Sequence, residues 1–278
     1  MSQTSDVEMT FFFQKGLYLN KTKAYETAVH SYEAALTLNP DYSDAWYNRG
    51  NALYHLKKYE EAIDSYDQAL DHQPGFAEAW NNRGNALDEL LCYDDAIRSY
   101  DQAIKFKPNY YWAWYNRGIS LKNLGRYQQA VDSYDRAIEF KPDYHWAWYS
   151  RGLALRKLGK LEQVIASYDK AIEFKPDFEE SWTNRGNALY HLGRHDAAIA
   201  SYDKALELKP NTPTLWYNKA CCYAIQGEFD LAFEHLERAI ELNPDEYREI
   251  AQTNGDFDEL RQDERFLSLL TARYPGEV

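Results

Sequence analysis

The sequence predicts an all-α fold, an α-solenoid of stacked helix-turn-helix repeats finished by a C-terminal capping helix region. Three observations carry this prediction. The chain aligns with itself at a shift of 34 residues, and a period of that length marks a repeat array. Within each repeat, positions 4, 8 and 11 fall on one side of a helix, and positions 20, 24, 27 and 28 fall on one side of a second. A proline at position 32 then ends the second helix, because the residue before a proline is pushed out of the helical region.

The repeats follow in order. Residues 1–8 precede the array and are expected to be a flexible N-terminus. Residues 9–42 are the weakest copy, with Phe12 at position 4, where the six later copies carry Trp46, Trp80, Trp114, Trp148, Trp182 and Trp216. Those indoles are expected in the core. Residues 43–76 and 77–110 repeat the motif closely, and 111–144 shows it complete: Trp114, Gly118, Gly125, Tyr127, Ala130, Tyr134, Ala137 and Pro142. Residues 145–178 place Leu161 and Val164 where an aromatic and an alanine recur, 179–212 carries His195 at the aromatic position, and 213–246 is the last copy. Lys23 and Lys57 replace the glycine at position 15, and each departure suggests locally looser packing. Small residues at positions 8, 20 and 27 let the two helices approach closely. No repeat buries both stripes alone; its neighbours complete the core. Residues 247–278 lose the register but keep Phe257, Leu260, Phe266, Leu269 and Leu270, as expected of a cap over the last open face.

This spacing resembles the tetratricopeptide repeat family over residues 9–246, in seven tandem copies. The resemblance implies a right-handed superhelix whose first helices line a concave groove that holds a partner peptide. That groove belongs to positions 2, 5, 6, 9, 12 and 13, opposite the packing stripe. Position 6 carries Asn48, Asn82, Asn116, Asn184 and Asn218, and position 9 adds Asn51, Asn85 and Asn187. Asparagine is a mediocre helix former, so local stability does not explain the column. Its amide pairs a donor with an acceptor and matches one peptide unit. The column looks like the asparagine ladders of superhelices of the protein-glycosylating type.

Aromatic and basic residues concentrate in two central repeats. Trp112 and Trp146 occupy position 2, where other repeats carry Asp44, Glu78, Glu180 and Thr214, so the fold does not require them there. Tyr115 and Tyr149 lie beside them at position 5, and Lys122, Arg156 and Lys157 occupy positions 12 and 13. These residues invite a protein or peptide ligand with acidic or aromatic groups. The alternative partner is a second copy of the chain in a self-assembling structure. A lysine-based carboxylate clamp of the kind some family members use is absent, because position 5 is Tyr, Asn or Thr in the six later repeats. Position 7 is Lys or Arg in all seven repeats and position 25 is Asp or Glu, which predicts a ladder of ion pairs within a repeat or between neighbours.

The composition narrows the function. A net charge of −13 argues against nucleic acid and anionic membranes as partners. No apolar run is long enough for membrane insertion, and the first residues show no secretory signal. Cys92, Cys221 and Cys222 form no disulfide framework or zinc spacing, which fits a reducing cytoplasm. No phosphate loop or Ser/His/Asp arrangement stands out. His191 and His195 flank Gly193 at a turn, and Cys221 has no visible base beside it. No cofactor or metal is expected. The sequence therefore reads as a non-enzymatic binding scaffold that helps other proteins assemble. The WYNRG style of the repeats looks bacterial.

Overall fold

The computed structural model describes residues 3–271. Every regular element among them is helical, as the periodicity predicts. The chain divides into two compact halves, residues 1–142 and 143–278.

The N-terminal half contains four helix pairs: α1 (Gln3–Lys21) with α2 (Tyr25–Leu38), α3 (Ser43–His55) with α4 (Tyr59–His72), α5 (Ala77–Glu89) with α6 (Tyr93–Phe106), and α7 (Tyr111–Asn123) with α8 (Tyr127–Phe140). The C-terminal half contains α9 (His145–Lys157) with α10 (Leu161–Phe174), α11 (Glu179–His191) with α12 (His195–Leu208), and α13 (Pro213–Ile225) with α14 (Phe229–Leu242). It continues through α15 (Pro244–Thr253), a 3₁₀ turn (Gly255–Leu260) and α16 (Glu264–Thr271). Two expected boundaries differ. Residues 3–8, expected to be flexible, are part of α1, while residues 1 and 2 lie outside the described residues. Helix α15 starts before residue 247, because Pro244 is well placed in the first turn of a new helix.

The packing rests on one close approach. At Gly16, Gly50, Gly84, Gly118, Gly152 and Gly186, a Cβ would stand 2.5–2.6 Å from Cε1 of the tyrosine sixteen residues on. Those tyrosines are buried. The seventh repeat changes both partners together: Ala220 faces Leu236, and both are fully buried. A smaller side chain on the second helix leaves room for the extra methyl.

The turn between the paired helices is left-handed in every repeat. Gly125, Gly159, Gly193 and Gly227 adopt φ of 70–76°, but Lys23, Lys57 and Leu91 hold the same conformation at 59–62°. Substitution of the glycine therefore keeps the turn and adds local strain, in place of the looser packing expected from sequence. Leu91 is a further departure from the glycine pattern.

The position-4 tryptophans are half-buried, a correction to the expected core placement. Five of them bridge repeats: Nε1 of Trp46, Trp80, Trp114, Trp182 and Trp216 donates to the carbonyl of Pro40, Pro74, Pro108, Pro176 and Pro210, at 2.7–2.9 Å. An indole needs a wet or polar end for its N–H, and the proline carbonyl of the preceding loop supplies the acceptor.

The position-7 bases do form a ladder, and it runs between neighbouring repeats. Arg83 Nε donates to Asp67 at 2.6 Å and its Nη1 to Ser99 Oγ at 2.8 Å. Arg117 binds Asp101 and Ser133 in the same way, Arg185 binds Asp169 and Ser201, and Arg49 binds Glu33 and Ser65. Lys219 reaches Asp203 at 2.7 Å. The guanidinium of Arg117 also lies 6.0 Å from the Trp114 ring centroid. The carboxylates are half-exposed, so each pair contributes modestly, on the order of 0.2–1 kcal/mol.

The cap closes the last repeat. Phe257, Leu260 and Phe266 are buried against α13 and α14, with Leu269 and Leu270 partly buried beside them. Residues 272–278 of the expected cap lie outside the described residues.

Two stability outcomes follow. Gly152→Ala should destabilise the chain by about 1–3 kcal/mol through its clash with Tyr168, and adding Tyr168→Leu should recover part of that loss. Thermal melts of the single and double variants would show it; a double variant that loses the sum of both singles would refute the close approach. In a second cycle, Arg117→Ala and Asp101→Ala should couple by about 0.5–1 kcal/mol. Strict additivity in urea denaturation would refute the ladder.

Candidate functional site

The asparagines that the sequence places on the ligand face are linked to one another. In the N-terminal half, Asn82 Nδ2 donates to Asn51 Oδ1 at 2.9 Å and to Tyr47 Oη at 3.1 Å. One repeat on, Asn116 Nδ2 donates to Asn85 Oδ1 at 2.9 Å and Asn81 Oδ1 at 3.2 Å. In the C-terminal half, Asn218 Nδ2 donates to Asn187 Oδ1 at 3.1 Å. A position-6 amide thus clips onto the position-9 amide of the repeat before it.

The core tyrosines anchor this column from below. Tyr66 and Tyr202 donate their hydroxyls to Asn51 and Asn187, each at 2.9 Å, and Tyr100 shares its one hydroxyl proton between Asn85 Oδ1 at 2.9 Å and Asp88 at 2.7 Å. Where position 9 is Leu17 or Leu153, the buried hydroxyls of Tyr32 and Tyr168 have no hydrogen-bond partner among the described residues. The ladder is therefore continuous only where the sequence carries asparagine at both positions. Among the described residues, no partner is found for Nδ2 of Asn85 and Asn187 or for Oδ1 of Asn116 and Asn218. The Asn85–Asn116 and Asn187–Asn218 pairs thus each keep one donor and one acceptor, whereas in the Asn51–Asn82 pair Asn82 Oδ1 accepts from Asn81 Nδ2 at 3.1 Å.

Three cavities sit on this column. One of about 330 Å³ is lined by Asn20, Asn51, Tyr54, His55, Tyr66, Asn82 and Asn85. Its neighbour, about 550 Å³, is walled by Tyr54, Tyr110 and Trp112 and reached by Asn82, Asn85, Asn116, Asp88 and Glu89. The C-terminal half holds one of about 310 Å³, with Arg156, Asn187, Tyr190, Asn218, Cys221 and Asp256 in its wall.

The other expected site residues take different places. Asn48 Nδ2 bonds the Asp44 carbonyl of its own helix at 2.7 Å. Asn184 Nδ2 bonds Tyr149 Oη at 3.2 Å and the Glu180 carbonyl at 2.8 Å. Tyr115 packs its ring on Tyr134, with centroids 5.8 Å apart. Trp146 and Tyr149 pack on Phe178, with centroids 4.7 and 5.0 Å apart. Trp146 therefore thickens the joint between repeats while staying 41% exposed, whereas Trp112, equally exposed, lines a cavity. Lys122 and Lys157 line none of the three cavities; Arg156 does.

Sequence reasoning missed four contributors. Asp88 and Glu89 occupy positions 12 and 13, the same places as Arg156 and Lys157, but those positions were searched for cations alone. Burial pushes the Asp88 carboxyl above its ordinary value, partly offset by hydrogen bonds from Ser120 and Tyr100. Asn254 and Asp256 belong to the cap, outside any repeat register. Asn254 Nδ2 donates to Tyr217 Oη at 2.7 Å and approaches Cys221 Sγ at 3.4 Å, and Tyr190 donates its hydroxyl to Asp256 at 2.5 Å. The cap thus continues the polar column where an eighth repeat would stand.

The paired cysteines of α13 offer little nucleophilic chemistry. Cys221 and Cys222 are buried. Burial pushes the Cys221 thiol well up and the Cys222 thiol up to about 12. Among the described residues no group of three or more His, Cys, Asp or Glu side chains is placed to hold a metal, and no helix is long and apolar enough to cross a membrane.

The sequence matches the tetratricopeptide repeat family at residues 43–76, 77–110, 111–144, 179–212 and 213–246, and related repeat families at 16–57, 133–166 and 152–193. The chain belongs to the tetratricopeptide repeat family. No curated protein matches it. Among solved structures it is similar to YrrB, described as a repeat protein of this family with an unusual peptide-binding site (TM-score 0.61, 23% identity, covering 66% of this chain and 94% of that one). It is similar to MamA (TM-score 0.56, 27% identity, 58% of this chain and 94% of that one). A third is the C-terminal part of a repeat-containing protein from Cytophaga hutchinsonii (TM-score 0.73, 17% identity, 84% of this chain and 96% of that one).

Thiol accessibility checks the cysteine placement. In native protein a thiol-exchange reagent should titrate Cys92 rapidly, with Cys221 and Cys222 reacting only after denaturation. Rapid release of three equivalents from folded protein would contradict it.

Proposed function

We propose that the chain is a non-enzymatic scaffold that binds an extended peptide or protein segment along the amide column and so aids assembly of a protein complex. The observation that carries the reading is the asparagine ladder. Its amides are fixed by the core tyrosines and by one another, yet the Asn85–Asn116 and Asn187–Asn218 pairs each leave a donor and an acceptor beside a cavity. A preorganised edge of this kind holds a backbone without the entropic cost of ordering its own side chains. Arg156 in the C-terminal cavity supports an acidic group of the guest in that half. Trp112 supports an apolar or aromatic neighbour in the other. YrrB's described peptide site belongs to YrrB; at 23% identity it is the shared fold that the two chains have in common. We place the protein in a bacterial cytoplasm, a reading supported by its three unpaired cysteines.

Phage-displayed linear dodecapeptides panned on the full chain test the proposal. Peptides should be enriched whose binding falls at least about tenfold with Asn85→Ala or Trp112→Ala, about 1.4 kcal/mol. Enrichment that ignores both substitutions, or no enrichment at all, would remove the amide column from function.

A further inference from the structure

We infer that the 550 Å³ cavity of the N-terminal half is a recognition pocket for a basic side chain, arginine or lysine, of the bound peptide. The inference rests on the peptide-binding reading above and names one residue of the guest.

Two carboxylates meet at this cavity, and both are held in place by neutral donors. Asp88 accepts from Ser120 Oγ at 2.7 and 2.9 Å and from Tyr100 Oη at 2.7 Å. Glu89 accepts from Tyr54 Oη and Tyr59 Oη, each at 3.2 Å. Neither forms an ion pair among the described residues, whereas Glu33, Asp67, Asp101, Asp169 and Asp203 of the position-25 ladder each find an Arg or Lys. Hydroxyl donors orient a carboxylate but leave its charge uncompensated. Asp88 is half-buried, and a partly desolvated charge without a counter-ion carries a cost that falls when a cation arrives; the exposed Glu89 adds its charge beside it.

The walls select the kind of cation. Tyr54, Tyr110 and Trp112 present three aromatic rings to the same space, and the Trp112 indole is 41% exposed. Ring faces attract a guanidinium or ammonium and tolerate the alkyl stem that carries it. The amides of Asn85 and Asn116 lie at the same cavity, so the peptide unit beside the basic residue has a donor and an acceptor within the same wall. An acidic guest side chain is repelled here, which separates this pocket from the Arg156 cavity of the other half.

Fluorescence anisotropy with labelled dodecapeptides of Ala, Ser and Gly tests it, using one central arginine, or citrulline as its neutral isostere. Full-chain wild-type protein should bind the arginine peptide at least about tenfold more tightly than the citrulline peptide. That ratio should fall to about one in Asp88→Asn/Glu89→Gln and persist in the charge-matched control Glu60→Gln/Asp64→Asn, which alters exposed residues of α4. Melting curves confirm that both variants fold. If both peptides bind wild type equally, the basic pocket is refuted while peptide binding stands. If neither binds, both readings fall. If the control variant loses the preference as well, bulk charge and not the pocket is responsible.

Discussion

The contact on which this molecule depends is the one between the glycine at position 8 and the tyrosine at position 24. With no Cβ on the first helix, the Cδ1–Cε1–Cζ edge of the ring reaches its backbone and the paired helices come close. The same geometry carries the phenol across the helix pair, so its hydroxyl emerges beside position 9 of the ligand face. A packing requirement thereby delivers a hydrogen-bond donor to the candidate surface. Where an asparagine waits there, the hydroxyl fixes the amide, and that amide receives the next repeat's asparagine.

The opposite side of each repeat has its own connector. The position-7 arginine reaches back to the acid of the preceding repeat and sideways to a serine of its own second helix, while the position-4 indole binds the preceding proline carbonyl. Both bonds join neighbours. Repeats in such an array gain stability chiefly from adjacent interfaces, so connectors of modest strength, repeated, determine how rigidly the ligand face is presented.

Much of the candidate site was legible in the sequence, and the exceptions have physical causes. Asn51, Asn82, Asn85, Trp112 and Asn116 were placed on one face by helical periodicity alone, and they do line cavities of the N-terminal half. Asn48, Tyr149 and Asn184 share that face but bond to or pack on neighbours, because a wheel gives direction and not what stands in the way. Asp88 and Glu89 were not legible because the sequence contrast at positions 12 and 13 lies in the basic residues of the two central repeats, whereas acids are common along the whole chain. Asn254 and Asp256 escaped because the cap follows no period. Lys23 and Lys57 at the turn suggest loosening in the sequence, yet they and Leu91 hold the same left-handed backbone as the glycines, because the helices on either side force it.

The sequence by itself determined the repeat, the helix pairs, their boundaries at each proline and the family, since these follow from local periodicity and backbone sterics. It also determined which faces pack. Only the tertiary structure decided that the ion pairs run between repeats, that asparagines bind asparagines, and that two carboxylates share a cavity with three aromatic rings. Those outcomes depend on distances between residues some thirty positions apart, which helix packing sets and no single helix encodes.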